Sequence, residues 1–222
     1  MRTPKIENYS NTRKYETVEI KGFGQCNKSI VLMNEKDKVK FIKKCEMVIR
    51  SSSEYREYVK YLKEYIDMTQ CSFFTNINSD GNTKIKIEIH HEPFSLFDIT
   101  NIVVNKAIMN GEDLNYFMIA EEVMKLHYQG RVGLIPLSLT VHELFHNGKI
   151  FIPLQAVRGD FLSFVEEYED YIPSDYLEIL VSKIKASKEI KEAGYQDLTI
   201  LNKKYVYLEV DGMMFPNLVE TK

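Results

Sequence analysis

Cysteine is scarce in this chain. Cys26, Cys45 and Cys71 are odd in number and far apart. None forms a Cys-x-x-Cys, which excludes a zinc knuckle and a disulfide framework and leaves buried, reduced thiols as the reading. Long apolar runs are missing too: none reaches the roughly 20 residues that a membrane-spanning helix needs. The opening MRTPKIENYSNTRKYE holds no apolar core of a secretory signal. There is no internal repeat, low-complexity tract or linker. Nor is there an excess of positive charge: 29 Lys and Arg against 32 Asp and Glu give a net −3, unlike a protein coated in nucleic acid. These absences lead us to expect a soluble, cytoplasmic protein with no membrane partner.

Histidine is scarce as well, and its placement is the main signal. Of five histidines, four fall in two short stretches, KIKIEIHH (84–91) and VGLIPLSLTVHELFHNG (132–148), and His127 lies between them. In the first stretch Ile85, Ile87 and Ile89 alternate with Lys84, Lys86 and Glu88, the pattern of a half-buried strand. Such a strand delivers His90 and His91 to opposite sides at its end. In the second, Gly133–Leu137 reads as a short apolar strand. Ser138 or Thr140 then opens a helix, with Thr140 and Glu143 in capping-box spacing. His142 and His146 stand i, i+4, on one helical face, and Asn147-Gly148 stops the helix.

Two families offer such a helix. His142-Glu143-Leu144-Phe145-His146 matches HExxH, in which both histidines bind zinc and the glutamate is the general base. A third ligand would then come from Glu166, Glu167 or Glu169. The wider stretch resembles the HNH (His-Me finger) endonucleases, closest in motif to the colicin-type DNases. Those carry Glu-x-His-His at a strand end, here Glu88-Ile89-His90-His91. They also carry His-x-x-x-His followed within two residues by Gly-Lys, here His142 to Lys149, and a basic residue six before the first His, here Lys84. This second resemblance uses four histidines where HExxH uses two, and it accounts for the strand ending in His-His.

The HNH resemblance implies an α+β fold with a ββα-metal core. It also implies metal-dependent hydrolysis of a phosphodiester, DNA ahead of RNA. His90, His142 and His146 would hold one divalent ion (Zn, Ni, Mn or Mg). Neutral imidazoles suit the transition metals best. His91 would be the general base and Glu88 would orient an imidazole. Lys84, Lys86 and Arg131 would contact phosphate. Two departures stand out. The family's Asn, nine residues before the first helix His, is Gly133 here. The connection from His91 to His142 is much longer than in the colicin type. A third reading keeps the fold without the chemistry, as a binding or assembly module. The Lys-, Asn- and Ile-rich composition points to an AT-rich genome, such as a phage's, in which case the protein would work in the host cytoplasm.

Around the site we expect three parts. Residues 1–70 form a partly basic helical region; residues 1–50 alone carry 12 Lys and Arg against 6 Asp and Glu. Its helices are Lys36–Arg50 and Glu54–Met68. Residues 71–154 form the HNH-like core. There Cys71–Ile77 pairs with Lys84–His90 through an Asp80-Gly81 hairpin turn, and 95–130 is an inserted helical hairpin. That hairpin opens at a Ser95–Asp98 capping box and stops at Gly111 and Gly130. Its second helix, from about Leu114, turns Phe117, Ala120, Val123, Met124 and His127 inward. Residues 155–222 form a C-terminal α/β extension. Lys149–Leu154 reads as a strand, Ser174 to about Ser187 as a helix, and Leu198–Leu201 and Tyr205–Val210 as strands joined by a turn at 202–204.

Overall fold

The computed structural model describes residues 35–74, 77, 79, 85–192, 203–210 and 213–220, the last two ranges as backbone. In chain order its helices and strands are α1 (Glu35–Ser51), α2 (Ser53–Glu64), β1 (Ile87–His91), α3 (Leu96–Met109), α4 (Tyr116–Tyr128), β2 (Leu134–Ser138), α5 (Leu139–His146), α6 (Phe161–Tyr168), α7 (Ser174–Glu192), β3 (Lys203–Val210) and β4 (Met213–Glu220). The fold is mixed α and β, mostly helical. Two compact units gather the described residues: 35–60, 94–132 and 160–173 in one, and 61–93, 133–159 and the chain from Ser174 onward in the other.

The first unit is helical. The capping box is made as its spacing predicts: Ser95 Oγ accepts from the Asp98 N–H, and the Asp98 carboxylate accepts from the Ser95 N–H. The α3 helix buries Ile99, Ile102, Val103 and Ala107. The α4 helix is capped by Asn115 and buries Ile119, Ala120, Val123, Met124, Leu126 and His127. Phe117, expected inward, is 39% exposed. It is two residues from Ile119, about 200° around the helix, so it falls on the opposite face. A polar knot ties α3, α4 and α6 together. The Tyr168 hydroxyl donates to Glu122 Oε1 at 2.6 Å, and Lys106 Nζ donates to Glu122 at 3.1 Å and to the Tyr168 oxygen at 3.2 Å. Burial and the Glu122 carboxylate raise the Tyr168 hydroxyl's pKa, keeping it a donor.

His127 belongs to this unit's core. Its Nδ1 donates to the Val123 carbonyl at 2.7 Å, and its ring packs edge-on against Tyr58, with centroids 5.4 Å apart. Burial pushes its pKa down to about 4 from 6.5, with the Val123 bond opposing and Arg50 adding to the shift. The unfolded chain therefore binds the proton first as pH falls. Stability is intact above pH 6.5 and is lost progressively toward pH 4. We expect a loss of about 2 kcal/mol by pH 5. Urea unfolding of the wild type and His127→Gln at pH 7 and pH 5 measures it; an equal pH dependence in both proteins would contradict the assignment.

In the second unit, β1 and β2 form a two-stranded antiparallel sheet, with Ile87 opposite Ser138, Glu88 opposite Leu137, His90 opposite Ile135 and His91 opposite Leu134. The expected partner of β1, Cys71–Ile77, is not a strand in its described residues. It coils on itself, with Cys71 N–H donating to Ile77 O and Phe74 N–H to Cys71 O; its described backbone bonds β2 at one point, Ser72 N–H on Pro136 O, and Cys71 and Phe73 pack against the strand's side chains. Every residue of β2 is buried, so pairing with it shields β1 better than the coiled stretch before it would, whatever the distance along the chain. Asp80-Gly81 lies outside the described residues. The expected strand Lys149–Leu154 is likewise irregular and ends in a 3₁₀ turn at Leu154–Ala156. Pro153 lacks the N–H a ladder needs, and the Leu154 N–H goes to Ser187 Oγ. Only Arg158 pairs onto β2, at Leu134. Cys71, Phe73, Ile87, Leu137, Val141 and Ile152 form the core here.

Further boundaries differ. The α2 helix ends at Glu64, four residues before the expected Met68. The α7 helix runs on to Glu192, past the expected end at Ser187. Lys203 and Lys204, expected in a turn, open β3, which pairs antiparallel with β4, a strand not anticipated. Leu198–Leu201 and Cys26 lie outside the described residues. Cys45 and Cys71 are free and buried, and burial pushes the Cys45 thiol up to about 12, in accord with inert, reduced thiols.

Candidate metal centre

The sheet register and the start of α5 together build the site. Glu88 and His90, two apart on β1, share one face of the sheet. The α5 helix begins immediately after β2: Ser138 ends the strand, and its hydroxyl accepts from the Val141 N–H as helix cap. Thr140, the other candidate cap, is inside the helix. The α5 helix therefore carries His142 and His146 onto the face that holds His90. His142 Nε2 lies 3.0 Å from His90 Nδ1 and 3.0 Å from His146 Nε2. The donor atoms of all three lie within 4.8 Å of one another.

Hydrogen bonding alone does not satisfy this cluster. Glu88 Oε2 sits 2.8 Å from His142 Nδ1, so that nitrogen carries the proton and Nε2 presents a single in-plane lone pair. One lone pair cannot accept well from two imidazoles at once. A second proton on His142 is disfavoured, because burial and the neighbouring His90 and His146 lower its pKa, with Glu88 opposing. A cation among the three nitrogens satisfies all of them. At zinc–nitrogen distances of 2.0–2.1 Å, tetrahedral ligands stand about 3.3 Å apart, close to the spacing here. The residues present fit a divalent transition metal. His90 is buried and His146 exposed, so the cluster opens to solvent on one side, where a further ligand has room.

Glu88 is the orienting group for His142, the carboxylate–histidine arrangement common at metal sites. Its carboxyl pKa is lowered by the hydrogen bond from Lys86, then by the charges of Lys86 and His142, with burial opposing. Lys86 bridges to Glu88 at 2.5 Å and is otherwise largely exposed. Lys84 lies outside the described residues. Arg131 belongs to the helical unit and is ion-paired with Glu167. His91 leaves β1 on the face opposite His90, beside Leu134, and is 6% exposed. It is not among the three converging nitrogens.

The HExxH glutamate is not part of this cluster. Glu143 is exposed on α5, and the third member of the cluster is His90 rather than a downstream glutamate. Glu166, Glu167 and Glu169 lie in the helical unit.

Gly133 has a local cause. The Glu92 N–H donates to the Gly133 carbonyl at 3.0 Å, and a Cβ at 133 would stand 1.9 Å from the Glu92 carbonyl oxygen. This backbone approach admits no side chain, so the Asn of the HNH pattern has no place at 133. Sequence reasoning missed two residues beside the cluster, Glu92 and Lys183. The only available signal was that Glu92 directly follows a strand that must be buried to hold His90.

The fold and site thus define a largely helical α+β protein with a histidine cluster able to hold a metal ion. The chain belongs to the bacteriophage G278-like virion protein family, whose sequence model matches residues 4–213. It is a phage protein. No match was found among curated proteins or among solved structures. No helix among the described residues is long and apolar enough to cross a membrane.

Proposed function

We propose that this virion-family protein is a metal-dependent endonuclease of the HNH type, acting on DNA ahead of RNA. The observation that carries the reading is the convergence of His90, His142 and His146 at 3.0 Å spacings, with Glu88 fixing His142. The order strand, strand, helix, with one ligand on the first strand and two on the helix, supports a ββα-metal core. His90, His142 and His146 would hold one divalent ion, Zn²⁺ or Ni²⁺ ahead of Mn²⁺ or Mg²⁺ because all three ligands are imidazoles. The ion would supply Lewis-acid stabilisation of the charge that builds on the phosphate. His91 would take the proton from the attacking water, a task suited to an imidazole near neutral pH. Lys84 and Lys86 would contact phosphate; Arg131 would do so only by leaving Glu167. The work would fall in the particle or in the host cytoplasm.

The burial of His91, on the sheet face away from the cluster, favours a second reading. In it the ion clamps β1 to α5 as part of an assembly module and cuts nothing. One experiment separates the two: metal analysis and plasmid nicking, with and without EDTA, for the wild type and His91→Ala. The nuclease reading expects nicking that needs the metal, and a His91→Ala protein that keeps its metal but loses about 10²–10⁴-fold in rate. A metal-loaded wild type that never cuts establishes the clamp.

A further inference from the structure

Glu92 is a buried charge that the proposed chemistry does not use. It is 2% exposed, ion-paired with Lys183 of α7, and Lys183 Nζ also donates to the Pro93 carbonyl at 3.1 Å. Taking such a pair out of water is costly, so its position calls for a reason. His90 supplies one. Its Nδ1 faces the cluster, while its Nε2 is buried with no hydrogen-bond partner among the described residues. Glu92 Oε2 lies 3.8 Å from that nitrogen. A shift of about 1 Å would bring the two within hydrogen-bonding range. His142 is laid out the same way, one nitrogen to the cluster and the other to Glu88.

We infer that Glu92 is the positioning residue of His90, so that His90 offers a metal its Nδ1, and that Lys183 sets how much negative charge Glu92 lends to the ring. The inference rests on the metal-binding reading but not on nuclease activity. A bound dication draws electron density from the imidazole and strengthens the pull between Nε2–H and the carboxylate. The two members of the ion pair then act in opposite directions. Without the Glu92 charge, the Lys183 cation is left near a ring that carries a dication, and affinity falls. Without Lys183, the carboxylate acts at full strength, and affinity holds or rises. A purely structural ion pair predicts that Lys183→Met, which strands a carboxylate only 2% exposed, weakens binding at least as much as Glu92→Gln.

The test is Co²⁺ titration of the full chain, read by its visible d–d absorption, with circular dichroism to check the fold. We expect Glu92→Gln to weaken binding about 10–100-fold, Lys183→Met to stay within about threefold of wild type or bind tighter, and Glu92→Asp to recover part of the loss. Where Glu92→Gln does not fold, Glu92→Gln/Lys183→Met carries the comparison, since it buries no unpaired charge. It should bind about tenfold or more weakly than Lys183→Met alone. Weakening by Lys183→Met at least equal to that by Glu92→Gln overturns the inference, as does a Glu92→Gln protein or a double variant that binds like its reference. A wild type whose cobalt spectrum is absent, or is unchanged by His142→Ala, overturns the metal reading itself.

Discussion

His142→Ala should empty the metal centre and remove metal-dependent cleavage, while Glu143→Gln leaves both within a few fold. His142 is the middle imidazole, facing both His90 and His146, and the only one fixed by Glu88. Losing an orienting partner typically costs about 10–100-fold in metal affinity; losing the ligand itself should cost at least that. Glu143 projects about 100° around the helix from His142 and is exposed, so it would have no part in holding an ion. In a zinc protease the pattern reverses, because the glutamate is the base and its loss costs about 10²–10⁴-fold. His90→Ala sharpens the contrast. On the proposed reading it would remove a ligand, but it would spare a protease with a glutamate third ligand. Metal content and activity on DNA and on casein, measured for the three variants, decide the matter. A metal-replete His90→Ala protein beside a dead Glu143→Gln protein would reverse our assignment.

The second large effect is expected at Gly133. Replacing it with Asn, to regain the family's pattern, should damage the protein rather than improve it. Any Cβ at 133 meets the Glu92 carbonyl oxygen at 1.9 Å, and the obstacle is backbone, which cannot rotate aside. Overpacking usually costs 1–3 kcal/mol; we expect about 3 kcal/mol or more here, because the backbone must part. That parting would break the Glu92 N–H to Gly133 bond and move the strand end that carries His90. Urea unfolding and metal content should fall together in both Gly133→Ala and Gly133→Asn. A Gly133→Asn protein with wild-type stability and higher activity would mean that the two strands approach less closely than described.

The parts of the site legible in the sequence were those set by local spacing. His142 and His146 needed only the helical repeat, and Glu88 and His90 only the alternation of a strand. The Ser95 box and the Gly111 and Gly130 stops marked the inserted helices for the same reason. The partner of β1 was not local. An Asp-Gly turn argued for the preceding stretch, but the fully buried Leu134–Ser138 prevailed from across the insertion. Glu92 and Lys183 stand 91 positions apart, and no periodicity joins residues at that distance. By contrast β4 was readable and overlooked: Asp211-Gly212, between β3 and β4, is a hairpin dipeptide.

Ser138 closes β2 and caps α5 with the same residue, so no slack separates strand from helix. The phase of α5 is therefore geared to the register of β1 on β2. A slip of one residue would shift the strand by about 3.3 Å and exchange its faces. His142 would then swing away from His90, and the imidazoles could no longer chelate together. On the metal-binding reading only the correctly zipped chain could capture an ion, and its uptake would proofread a pairing made across more than forty intervening residues. A bound metal would thus seal the folding chain in one register.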